Sequence, residues 1–154
     1  MELHSLLSQD AVRIFSSTTS KKRLFQEIGE VMETITGVPS GRSFDALQER
    51  ESLGPTGVGH GVALPHARIA GVDHVVGVFA RLEKPIDFDA VDRLPVDLVF
   101  ALFAPEDAGV EHLKALALVS RTMRDATLCA KLRANGDAAT LHALLTDVRA
   151  TRAA

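Results

Sequence analysis

The residues best suited to chemistry lie in GPTGVGHGVALPHAR, residues 54–68. Gly57, Gly59 and Gly61 alternate there with other residues. Lacking Cβ, they let the backbone pass close to another group and expose amide donors, which fits an anion-binding nest or a tight turn serving only the fold. The pattern is not a dinucleotide fingerprint, because the wider second spacing is missing, and it lacks the Gly-Lys-Ser/Thr ending of a nucleotide phosphate loop. Pro65 fixes its own φ and biases Leu64 towards extended backbone. The chain ahead of His66 is therefore stiff, which suits a side chain whose direction matters. An imidazole is mostly neutral at pH 7, so a ring nitrogen is free to act as nucleophile, base or metal ligand. Arg50 and Glu51 lie upstream and Arg68 downstream. A guanidinium offers a planar fork of donors that matches phosphate oxygens, and Arg68 reads either as such a group or as a solvated side chain. Far along the chain, His112 stands near the start of an expected helix, where unpaired amides and the helix dipole favour an anion. If the fold brings His112 beside His66, two imidazoles, an arginine and the glycine-rich segment converge, a set better matched to a phosphoryl group than to a carbonyl. A zinc hydrolase built on His60, His66 and His112 is the competing chemistry. The separation of His60 from His66 matches no common ligand spacing, however, and no carboxylate base is evident nearby. His60 reads instead as an exposed loop residue, and Cys129 as a small buried hydrophobe within a helix.

The elements that must hold these residues follow from periodicity. AVRIF (11–15) reads as a strand. Ser20 caps a helix through Thr36, with Leu24, Ile28, Val31 and Ile35 at helical spacing and Gly37 as the stop. Lys21-Lys22-Arg23 is the expected solvated first turn. Ser43 is the expected cap of a shorter helix over 43–52, with Phe44 and Leu47 packed on the core or forming a small docking patch. The glycine-rich stretch holds at most a short strand, GVALP. VVGVFARL (75–82) and PVDLVFALFA (95–104) read as buried strands. The last third is helical. VEHLKALALVSRTM (110–123) is expected to turn Leu113, Leu116, Ala117 and Ser120 towards the core. Asp125 caps a helix ending at Asn135-Gly136, and Asp137 caps another with a stripe of Leu141, Leu144, Leu145 and Val148. Central strands with helices before and after them indicate an α/β sandwich.

Composition sets the outer limits. The 154 residues fit a single domain, 1–154, and 46% hydrophobic with 24% charged content is that of a folded globule. Seventeen basic against twenty acidic residues give a net charge of −3, which argues against nucleic acid as the partner. No apolar run approaches the ~20 residues of a membrane span, so no membrane insertion is expected. A single cysteine rules out an intrachain disulfide, and with no signal-like start the expected compartment is the cytoplasm.

RESLGPTGVGHGVALPHAR closely resembles the active-site segment of the type-2 (mannitol/fructose-like) IIA domains of the bacterial phosphotransferase system. VVGVFARLEKPIDFDAVDRLPVDLVFALFAP resembles the segment that follows it in that family, and EHLKALALVS its second histidine motif. The three motifs occur in the family's order and cover nearly the whole chain. Among these domains, the sequence is most similar to the stand-alone, nitrogen-regulatory type. The resemblance implies the mannitol-specific IIA fold, an α/β mixed β-sheet flanked by helices on both faces. It implies that His66 is the phosphoryl acceptor, that His112 lies beside the phosphoryl group, and that Arg50 holds phosphate or the partner. It implies no cofactor and no metal. The implied partners are an HPr-like phosphocarrier (NPr) and regulatory targets such as potassium-transport or sensor-kinase components. A sugar-specific IIA passing phosphate to a IIB domain is the alternative pathway. Pro55 departs from the serine usual in relatives, which leaves Thr56, with the amides of Gly57, Gly59 and Gly61, as the expected phosphoryl-binding donors. His60 stands where asparagine is common.

Overall fold

Two long apolar runs form the centre of the sheet. In the computed structural model, which describes residues 1–147, they are β5 (Val76–Ile86) and β6 (Val96–Pro105), paired antiparallel with Val78 opposite Ala101 and Ala80 opposite Val99. Every residue from Leu98 to Ala104 is buried. A strand with no exposed alternate residues must be covered on both faces, which is why these runs show no polar alternation. β1 (Val12–Phe15) joins the free edge of β5 in parallel. The other edge of β6 carries two short parallel strands in succession, β3 (Val62–Ala63) and β4 (His66–Ile69), and β2 (Gly57–Gly59) pairs antiparallel with β3. The sheet is therefore mixed, in the order β1-β5-β6-β3-β2 with β4 also on β6.

Helices α1 (Leu3–Leu6), α2 (Lys21–Thr36), α3 (Ser40–Ser52), α4 (Val110–Met123), α5 (Ala126–Ala134) and α6 (Ala138–Thr146) cover it. α2 pairs with α3, while α4, α5, α6 and α1 form a second group. Local chemistry sets the helix ends. Ser20 Oγ accepts from the Arg23 amide, and Gly37 stops α2 in the left-handed region at φ +80°. Asp125 and Asp137 accept from the Leu128 and Thr140 amides. Leu24, Ile28 and Val31 are buried, as the spacing of α2 requires, and Leu141 and Leu145 are the buried stripe of α6. Val148 lies outside the described residues.

Three expectations change. α3 starts at Ser40 behind Pro39, so Ser43 is no cap; it lies inside the helix, fully buried, with its hydroxyl unpaired among the described residues. α4 has the expected bounds but a rotated face. His112, Ala115, Val119 and Met123 are buried, whereas Leu113 is 66% exposed. Hydropathy alone favours Leu113 for the core, but a polar histidine takes the inward position. Local rules are broken in this way most often where function requires it. Third, His66 does not sit on a loop but opens β4, a strand the short and partly polar HARI does not announce.

Candidate functional site

Residues two apart on a strand share a face. On β4, Ala67 and Ile69 pack against the core, so His66 and Arg68 project from the opposite face. The strand is anchored on β6, with His66 opposite Leu102 and the Leu102 amide donating to the Pro65 carbonyl at 2.9 Å. His66 Nδ1 lies 2.8 Å from the Leu64 carbonyl oxygen. A carbonyl only accepts, so this contact assigns the proton of the neutral ring to Nδ1 and leaves the lone pair on Nε2. The stiff Leu64-Pro65 segment thereby fixes both the direction and the tautomer of the ring.

α4 delivers the second imidazole. The rings of His66 and His112 are edge to face, with centroids 5.8 Å apart and planes at 69°. Arg68 Nε donates to His112 Nδ1 at 3.4 Å, while His112 Nε2 is buried with no hydrogen-bond partner among the described residues. Burial holds the His112 imidazole below the ordinary histidine range, and the nearby His66 and Arg68 push it the same way. His112 stands in the first turn of α4, whose Gly109 cap supplies no side-chain acceptor to the free amides. One ring thus presents a free lone pair and the other a buried, unused ring nitrogen, next to a guanidinium and the end of a helix. Such a pair can take up and stabilise a tetrahedral anion.

The other residues singled out in the sequence occupy different places. Arg50 lies in the last turn of α3 and donates to the Gly54 carbonyl at 2.9 Å, holding the turn that leads into the glycine-rich segment. Among the described residues no hydrogen bond joins it to either imidazole. Thr56 is buried, and its hydroxyl donates to Glu51 Oε1 at 2.6 Å while its amide donates to Oε2 at 3.0 Å. Its hydroxyl proton is already committed to a carboxylate, which corrects the expectation of a donor to a phosphoryl group. Lys21 is not a solvated first-turn residue either. Its Nζ reaches Glu51 at 3.0 Å and Asp89 at 3.6 Å, and lies 4.8 Å from the Phe88 ring centroid. Glu51, 6% exposed at its side chain, is the centre of this network.

The glycines answer to packing. A Cβ on Gly57 would stand 2.8 Å from that of Ala90, and one on Gly59 would meet the Asp92 carboxylate, which accepts the His60 amide. Gly61, at φ +78°, leaves room for Arg133, which bridges Asp97 and the His60 carbonyl. The Gly61 carbonyl accepts from Asp97 and Leu98, whereas His66 pairs with Leu102. Four residues of strand separate the two places, about 13 Å. Gly61 and His60 therefore stand away from the paired imidazoles, and the nest expected of Gly57, Gly59 and Gly61 does not close around His66. Among the described residues no three His, Cys, Asp or Glu side chains are grouped to share a metal ion. Cys129 is buried, its thiol held up by burial.

Arg68 becomes legible as a site residue once residues 66–69 are known to be a strand, because the His-x-Arg spacing then puts both side chains on one face. Glu51 and Lys21 meet across thirty residues of chain, and no local pattern announces that contact.

Residues 5–148 match the model of the family described as phosphoenolpyruvate-dependent sugar phosphotransferase system, EIIA 2. The chain is 42% identical to a nitrogen regulatory protein of Bradyrhizobium diazoefficiens, over 99% of this chain and 100% of that one. The crystal structure of nitrogen regulatory protein IIA-Ntr from Neisseria meningitidis superposes with a TM-score of 0.85 at 36% identity, covering 94% of this chain and 99% of that one. The IIA mannitol structure from Escherichia coli shares the fold, with a TM-score of 0.71 at 21% identity, over 86% and 94% of the two chains. With the mixed sheet and the paired histidines in place, these likenesses identify the chain as a member of the type-2 EIIA family of the phosphotransferase system.

Proposed function

We propose that this protein, acting as one domain in the cytoplasm, accepts a phosphoryl group on Nε2 of His66 from an HPr-like phosphocarrier, the NPr type, and regulates target proteins according to its phosphorylation state. The observation that carries this reading is the pair of rings: among the described residues, His66 keeps its Nε2 lone pair unbonded beside a buried, unpartnered Nε2 on His112. The neutral His66 ring attacks phosphorus in line with the donor's phosphorus–nitrogen bond. As the new bond to Nε2 forms, the old one breaks and its electron pair returns to the carrier's ring. Positive charge that develops on the His66 ring is stabilised by the Leu64 carbonyl at Nδ1–H. His112, Arg68 and the first amides of α4 offset the charge on the equatorial oxygens, so the protein's share of the reaction is positioning and electrostatics. Arg50 serves the site by shaping the turn at Gly54.

A protein donor also needs a surface. Val110 and Leu113, 62% and 66% exposed on the first turn of α4, flank His112 and offer apolar contact to a carrier. A phosphoryl group adds about −1.5 to −2 charges, by analogy with phosphorylated hydroxyls. On this face that change alters which proteins bind. Potassium-transport or sensor-kinase components are the targets the family likeness favours.

The test is incubation with phosphoenolpyruvate, the system's first enzyme and its HPr-like carrier. The wild type is expected to take one acid-labile phosphoryl group per chain and His66→Ala none. Label persisting on His66→Ala would refute the assignment. Adding IIB domains to the labelled protein reads the sugar-transport alternative, in which label moves onward.

A further inference from the structure

A neutral imidazole has one donor and one acceptor, and which nitrogen carries the proton decides what it can do for an anion. In His66 the backbone makes that choice, through the Leu64 carbonyl. In His112 no backbone group does. Among the described residues, the only group bonded to either ring nitrogen is the Arg68 guanidinium, whose Nε–H points at Nδ1 at 3.4 Å. A guanidinium has no acceptor. Nδ1 must therefore be the lone-pair nitrogen, and the proton lies on the buried, unpartnered Nε2.

We propose that Arg68 is a positioning residue, holding His112 in the Nε2–H tautomer so that a donor is already in place when the phosphoryl group arrives at His66. The inference rests on the phosphoryl-acceptor reading above. Without Arg68 nothing bonded to the ring selects between the tautomers, and the Nδ1–H form leaves Nε2 with a lone pair that cannot donate to an anion. The strand geometry supplies the device directly. His66 and Arg68 stand two residues apart on the same face of β4, so one short strand sets both the nucleophile and the tautomer of its neighbour on α4. Burial of the His112 ring favours its neutral form, the form in which the choice of tautomer matters. The charged and titratable groups facing the ring from β4 are His66 and Arg68.

Long-range 1H–15N NMR of the ring nitrogens in the full chain at pH 8, unphosphorylated, reads the tautomer without reference to any activity. The wild type is expected to show His112 protonated at Nε2. Arg68→Met removes donor and charge from an exposed position; it is expected to shift the tautomer ratio towards Nδ1–H by on the order of tenfold, the worth of a charge-assisted hydrogen bond. Labelling from the phosphorylated carrier is expected to slow by a similar factor. Arg68→Lys, which keeps a donor and a charge, should restore both readouts in large part. A wild-type His112 protonated at Nδ1 would overturn the proposal, and so would an unchanged tautomer in Arg68→Met, whether or not labelling slows. If the wild type takes no label, the phosphoryl-acceptor reading fails, while the NMR result still decides the role of Arg68.

Discussion

Thr56→Val separates a structural hydroxyl from a phosphoryl-binding one. In the native chain the Thr56 hydroxyl donates to Glu51 Oε1 at 2.6 Å, and Oε1 has no other partner among the described residues. Oε2 is held independently by the Thr56 amide and Lys21 Nζ, both at 3.0 Å. Valine keeps the branched shape, so the substitution removes one charge-assisted hydrogen bond at a carboxylate that is 6% exposed. Such bonds contribute about 1.5–3 kcal/mol. For a chain of this size each kcal/mol moves Tm by about 2–4 °C, so a fall of about 3–12 °C is expected in a calorimetric or circular-dichroism melt. The labelling stoichiometry of His66 below the melt should be unchanged, because the hydroxyl proton was never available to the phosphoryl group, and Thr56→Ser should restore Tm. An unchanged Tm with lost labelling would refute the reasoning and return the hydroxyl to the phosphoryl site.

Two further outcomes follow from the packing and the charges. Gly61→Ala forces a Cβ onto a φ of +78° and to within 2.5 Å of the Arg133 guanidinium, so a loss of about 1–2 kcal/mol or more is expected in denaturant unfolding, with His66 labelling kept because the ring is about 13 Å away along β6. His112 has a depressed pKa in the folded chain; on acidification the unfolded chain therefore binds the proton first, and stability falls as pH drops through about 6.5 and below. His112→Gln should flatten that part of the stability–pH curve, and an unaltered slope would contradict the burial of a neutral ring.

Much of the fold was legible because local rules agree with the tertiary result. Ser20, Gly37, Asp125 and Asp137 cap helices by short-range hydrogen bonds, and the apolar runs at β5 and β6 are long enough to specify buried strands. Where the sequence misled, a long-range partner had overruled a local preference. Ser43 is an acceptable cap, yet α3 begins at Ser40 and encloses it. Lys21 resembles any solvated lysine until Glu51 meets it across thirty residues. Leu113 outranks His112 in hydropathy, yet the face of α4 that packs on the sheet is the one that carries the imidazole.

The candidate site divides in the same way. The sequence alone determined which residues could do the chemistry: a histidine on a proline-stiffened backbone, a second histidine at a helix start, and arginines to meet an anion. Only the tertiary structure decided how they act. Register on β6 brought His66 to His112 and carried Gly61 away, a carbonyl fixed the tautomer of His66, and Glu51 took the hydroxyl of Thr56. The physical reason is that residue type sets which bonds a group can make, whereas the partner that is present, often dozens of residues distant in the chain, sets which bond it does make.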